Sequence, residues 1–139
     1  MTSGIYNLEF QLRGIVALIQ GESKMQKTFI VYSDPGHAWA RVSFVTLREL
    51  GIEDKISAFS YQRNGFAFLE EDCDLSVLIL ALRARGIEPR WVEKHRREGP
   101  SKIRSYFCYT PQVLKNWFEQ KLALRAVQVA DYASRGASC

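Results

Sequence analysis

Four carboxylates fall within six positions where the chain reads Leu69-Glu70-Glu71-Asp72-Cys73-Asp74. Carboxylates at this density can gather a divalent cation, which wants several oxygens at about 2.0–2.6 Å. They can also divide the roles of general acid and general base. His37, directly after the turn Asp34-Pro35-Gly36, would add a proton carrier near neutral pH or a nitrogen ligand. His37, Glu70, Glu71, Asp72 and Asp74 are therefore the candidate catalytic set of a metal-dependent hydrolase or nuclease. A structural reading competes with it. Carboxylates at a strand end and helix start complement the free N–H groups and positive dipole end of the helix, and a single His in a turn is commonly a hydrogen-bonding loop residue. The spacing matches no EF-hand loop. The chain has no Gly-x-Ser-x-Gly, Walker or His-Glu-x-x-His pattern. Cys73 has acidic neighbours, which raise a thiol's pKa and disfavour a nucleophile.

The second constellation has the opposite charge. Residues 83–104 hold eight Lys or Arg against three Glu, in a chain whose formal net charge is +4. Arg90, Lys94, Arg96, Arg97, Lys102 and Arg104 stand among Trp91, Tyr106, Phe107 and Tyr109. Arginine beside aromatic residues suits phosphate contact combined with base stacking. Arg90, Trp91, Lys94, Arg96, Arg97, Lys102, Arg104 and Tyr106 are thus the candidate ligand-binding set. Two bland readings stay open: an edge hairpin kept soluble by charge, or Arg104 pairing inside the fold with the acidic cluster. Pairing of the acidic and basic patches would largely cancel their external field.

The elements that position these groups can be read from periodicity. Tyr6, Leu8, Phe10 and Leu12 alternate with polar residues and predict a strand. Gly14 interrupts it before an apolar run at 15–19, and Gly21-Glu22-Ser23-Lys24 reads as a turn. Residues 28–32 read as a strand and Asp34-Pro35-Gly36 as a turn. A short strand over 38–42 and a helix over 44–50 follow, with Ser43 as N-cap and Gly51 as stop. Asn64-Gly65 between residues 56–62 and 66–69 predicts a type I′ hairpin. Asp72 or Asp74 would cap a helix over 75–85, apolar nearly all round and so expected to be buried on more than one face. Strands are expected over 90–94 and 103–109, the second putting Arg104, Tyr106 and Cys108 on one face. Thr110-Pro111 starts a last helix running to about residue 133, with a frayed tail over 134–139. Trp117-Phe118 on that helix reads as core, a dimer face or an exposed anchor. The fold class expected is α+β, a mainly antiparallel sheet built from hairpins with two main helices and a short one, in one domain over 1–139.

The apolar fraction of 47% and aromatic fraction of 12% describe a globular chain. Three cysteines without a Cys-x-x-Cys pair point to a reducing compartment rather than a disulfide framework. No basic segment followed by an apolar run opens the sequence, so no signal peptide is expected. No run approaches the length of a membrane span. The sequence pI near 9.1 favours anionic partners.

Four segments together, Ser33-Asp34-Pro35-Gly36-His37-Ala38-Trp39, Ser60-Tyr61, Leu69-Glu70-Glu71-Asp72-Cys73-Asp74 and Ser101-Lys102-Ile103-Arg104-Ser105-Tyr106, resemble small uncharacterised proteins encoded by bacteriophages and other mobile elements. The resemblance covers roughly residues 28–109. It implies a setting, not a catalytic residue: an accessory protein in a bacterial cytoplasm that counters a host defence by binding. The expected activity is non-enzymatic, anti-CRISPR-like or sequestering a nucleotide signal. The partner would be nucleic acid, a nucleotide or a host defence protein, with no cofactor and with a homodimer through the 111–133 helix plausible. A divalent metal enters only in the hydrolase alternative. In a third reading the acidic cluster mimics nucleic-acid phosphates against a basic host groove.

Overall fold

A computed structural model describes residues 25–136. The strands expected within 6–19 and the turn at 21–24 lie outside the described residues. The sheet is built from β1 (Met25–Ser33), β2 (Ala38–Ser43), β3 (Tyr61–Arg63), β4 (Phe66–Glu70), β5 (Ile87–His95) and β6 (Phe107–Cys108). Its strand order is β5-β1-β2-β4-β3-β6. β1 and β5 are parallel and the other neighbours antiparallel. The helices are α1 (Phe44–Glu49), α2 (Leu75–Ala84) and α3 (Pro111–Gly136). This is the expected α+β architecture, with two main helices and one short one.

Alternation sorts the strands into two faces. Phe29, Val42, Ala67 and Leu69 face the helices and bury against Leu47, Leu78, Leu82, Tyr109 and Leu114. The opposite face carries Tyr32, Trp39, Arg41, Phe66, Phe68 and Lys94, linked by cross-strand register. Trp39, Phe68 and Ile103 make a second, smaller core there, with Tyr32, Tyr61, Phe66 and Tyr106 packed around it.

Turn chemistry fixes the connections. Asn64 and Gly65 have φ +51° and +82°, the two left-handed residues a type I′ hairpin requires. Ser43 Oγ accepts from Thr46 N at 3.1 Å and caps α1. Thr110 Oγ1 accepts from Val113 N at 3.2 Å ahead of Pro111, which opens α3.

Several expectations are corrected. Residues 103–109 do not form one strand: Lys102–Ser105 is a 3-10 turn and only Phe107–Cys108 pairs with the sheet. Likewise β3 spans only Tyr61–Arg63, and Glu53–Lys55 is a 3-10 turn. Asp74 sits at the start of α2 but makes no side-chain cap bond. Its carboxylate instead accepts from Ser57 N at 3.0 Å, Ser57 Oγ at 2.8 Å and Ser60 Oγ. α2 buries one stripe, Leu78 and Leu82, and leaves Leu80 68% exposed. Trp117 and Phe118 pack against the core, Trp117 edge-on to Phe44 at 5.8 Å. Beyond them α3 is exposed and continues to Gly136, past the expected end.

Candidate functional site

The Asp34-Pro35-Gly36 turn organises one side of the open sheet face. Asp34 Oδ1 accepts from the backbone N–H groups of Gly36 and His37, both at 2.9 Å. Arg104 grips the same carboxylate with two bonds, Nε to Oδ2 at 2.7 Å and Nη2 to Oδ1 at 2.9 Å, and Ser101 N adds a third donor at 2.8 Å. The Arg104 guanidinium, with these backbone donors, holds the Asp34 carboxyl well below the usual carboxylate range against the opposing effect of burial. This pair pins residues 101–106 over the sheet. Ile103 sinks between Trp39 and Phe68, and Tyr106 stands edge-on to Phe68 at 5.2 Å. Ser101 caps the 3-10 turn through Ile103 N at 3.3 Å.

The pinned segment walls a groove of about 790 Å³. Five cations line it: Arg41 from β2, Arg63 from β3, Lys94 from β5, and Arg96 and Lys102 from the segments that follow. No carboxylate lines it, and none of the five makes an ion pair among the described residues. Three of them lie over aromatic rings. Arg41 is 3.9 Å from the Phe66 centroid, Arg63 4.9 Å from Tyr106, and Lys94 5.8 Å from Tyr32. Such contacts orient cations without neutralising them.

Lys94, Arg96, Lys102 and Tyr106 from the sequence-derived binding set meet in this groove. The others do not. Trp91 faces the helices and packs on Phe29 at 5.6 Å, so it cannot stack a ligand there. Arg90 and Arg97 are exposed and stand outside the groove lining. Arg104 is committed to Asp34 rather than to the 70–74 cluster. Sequence reasoning missed Arg41, Arg63, Tyr32, Phe66 and Phe68. Their signal was present: Arg41 sits between the apolar Ala40 and Val42, so it must face away from the core.

The acidic cluster lies beside a second, smaller pocket of about 270 Å³, lined in part by His37, Trp39, Glu70, Asp72 and Arg104. His37 Nδ1 is 3.3 Å from Glu70 Oε1, while Glu70 Oε2 accepts from Asp72 N at 2.9 Å and Cys73 N at 3.0 Å. His37, Glu70, Glu71 and Asp72 can each offer a ligand atom within 4.8 Å of the others. Residues 37 and 70–72 therefore meet in space, as a metal site requires; Asp74 is turned away to Ser57 and Ser60. The Trp39 indole Nε1 is buried and has no hydrogen-bond partner among the described residues. The Cys73 thiol is pushed up by its hydrogen bond to Glu70, by desolvation and by the neighbouring carboxylates, which disfavours the thiolate.

No helix among the described residues is long and apolar enough to cross a membrane. No family model matches the chain, and neither the curated proteins nor the solved structures provide a match.

Proposed function

We propose that this protein is a non-enzymatic binder of nucleic acid or a nucleotide. In the setting its motifs imply, it would be a phage or mobile-element accessory protein that counters a host defence. The carrying observation is the groove, where five cations that make no ion pair among the described residues gather at one sheet face, three of them over aromatic rings. Like charges held this close repel one another, and an oligoanion relieves that repulsion while releasing its own counterions. The rings supply a surface for bases. Capture of the tagged protein from bacterial lysate, with and without nuclease, tests this when the released nucleotides are analysed. Recovery of nucleic acid or nucleotide that Arg41→Gln with Arg63→Gln abolishes is expected. A clean bait contradicts the reading.

A host defence protein as direct partner, and a homodimer through residues 111–133, belong to the same proposal at a finer level. The support for the dimer is the exposed part of α3 beyond Phe118, where Leu122, Val129 and Tyr132 are open to solvent. Light scattering that returns a monomer at high concentration removes it.

A specific observation favours one second reading, a metal-dependent hydrolase or nuclease: the convergence of His37, Glu70, Glu71 and Asp72. Calorimetric titration with Mn²⁺ decides it. Binding that Glu70→Gln abolishes, accompanied by phosphodiesterase turnover, supports the hydrolase. No heat of binding removes it.

A further inference from the structure

We infer that the groove takes single-stranded nucleic acid laid across the strands, in preference to a duplex or a mononucleotide. This rests on the binding reading above and narrows its ligand. Lys94 lies on β5 and Arg63 on β3, with β1, β2 and β4 between them. Register places them on one face: Lys94 pairs with Tyr32, Arg41 with Phe68, and Arg63 with Phe66. Four strand spacings of about 4.8 Å separate the outer cations by about 19 Å. A mononucleotide gathers its charges at one end and cannot span that distance. A backbone with one charge per nucleotide can.

The stacking geometry points the same way. Arg41 and Arg63 place their guanidinium carbons over the Phe66 and Tyr106 rings, 3.9 and 4.9 Å from the centroids. Unpaired bases stack on aromatic rings and on guanidinium planes alike. A duplex keeps its base faces inside its own stack and offers only phosphates and groove edges. The site is concave, walled by Lys102, Ile103 and Tyr106, a shape that receives a strand rather than one that enters a duplex groove. Binding here is expected to tolerate sequence, because every base has a π-face.

The test is fluorescence anisotropy with a labelled oligothymidylate of about 12 nucleotides, within the range of known single-strand sites. The matched duplex and ATP serve as competitors. If all five cations meet phosphates, log K falls with log salt at a slope of about −3.5, at about 0.7 per contact on a single strand. Arg41→Gln lowers the slope by about 0.7. Arg63→Lys keeps the slope but weakens binding about 5-fold or more, the low end of losing one stacked base. If the duplex or ATP competes as well as the single strand and Arg41→Gln weakens every ligand equally, the single-strand inference falls and the binding reading stands. If none of the three binds, or if Arg41→Gln and Arg63→Lys leave affinity and slope unchanged, both fall.

Discussion

Gly65→Ala should cost far more than its chemistry suggests, because two separate costs meet at that residue. Gly65 holds φ +82° at the tip of the β3–β4 hairpin, and its carbonyl accepts from Phe44 N at 2.9 Å. A left-handed conformation costs a residue with a Cβ about 1–2 kcal/mol. The added Cβ would also stand 2.8 Å from Cε2, Cζ2 and Nε1 of Trp117. That indole cannot step aside freely, since Phe44 and Phe118 meet it edge-on at 5.8 and 4.9 Å. Forcing extra volume against a packed ring costs about 1–3 kcal/mol. The total is about 2–5 kcal/mol. Gly86 is the control: its φ is +70°, and a Cβ there meets nothing within 4 Å among the described residues. Gly86→Ala should cost only the conformational part, about 1–2 kcal/mol. Urea unfolding reads both as shifts of the midpoint at constant slope. In a Trp117→Ala background the cost of Gly65→Ala should drop to that of Gly86→Ala. Equal costs in the native background, within about 0.5 kcal/mol, would refute the close approach of Trp117 to the hairpin. The consequence reaches function, because this hairpin carries Arg63 and Phe66 into the groove.

Two further predictions concern titration. Arg104 holds the Asp34 carboxyl well below its usual range. The folded pKa is depressed, so the pair contributes stability that is present above the unfolded carboxyl value of about 3.9 and is lost as pH falls toward the folded value. The Tm gap between the native protein and Arg104→Gln should therefore be full near about pH 6 and narrow below about pH 4; a gap that stays constant to acid would contradict the assigned cause. Cys73 is exposed, and Glu70 raises its thiol. Iodoacetamide at mildly alkaline pH should modify Cys73 faster in Glu70→Gln than in the native protein; an unchanged rate at Cys73 would contradict this.

How much was legible in the sequence follows from the range of each interaction. The hairpin at Asn64-Gly65, the cap at Ser43 and the Thr110-Pro111 helix start are local, set by side chains within a turn of the backbone they satisfy, and they read correctly. Segment 101–106 did not. Its alternation resembles a strand, but Asp34 takes both Ser101 N and the Arg104 guanidinium from 67 and 70 residues away and wraps the segment into a 3-10 turn. Asp74 looked like a cap because it precedes a helix; Ser57 and Ser60, brought in by the fold, claim its oxygens instead. The basic patch was legible as charge but not as a surface. Trp91 falls on the helix-covered face with Ile87 and Pro89, while the groove recruits Arg41 and Arg63 from strands that carry no conspicuous charge run.

The proposed function places a nucleic-acid or nucleotide anion on the sheet-face cations that make no ion pair among the described residues. Its most direct test replaces Arg41, Arg63, Lys94 and Lys102 together by Gln, verifies the fold by circular dichroism, and measures nucleic-acid binding across a salt series. Loss of binding in this variant and a steep salt dependence in the native protein are expected. A correctly folded variant that binds as tightly as the native protein, with the same salt slope, would contradict it.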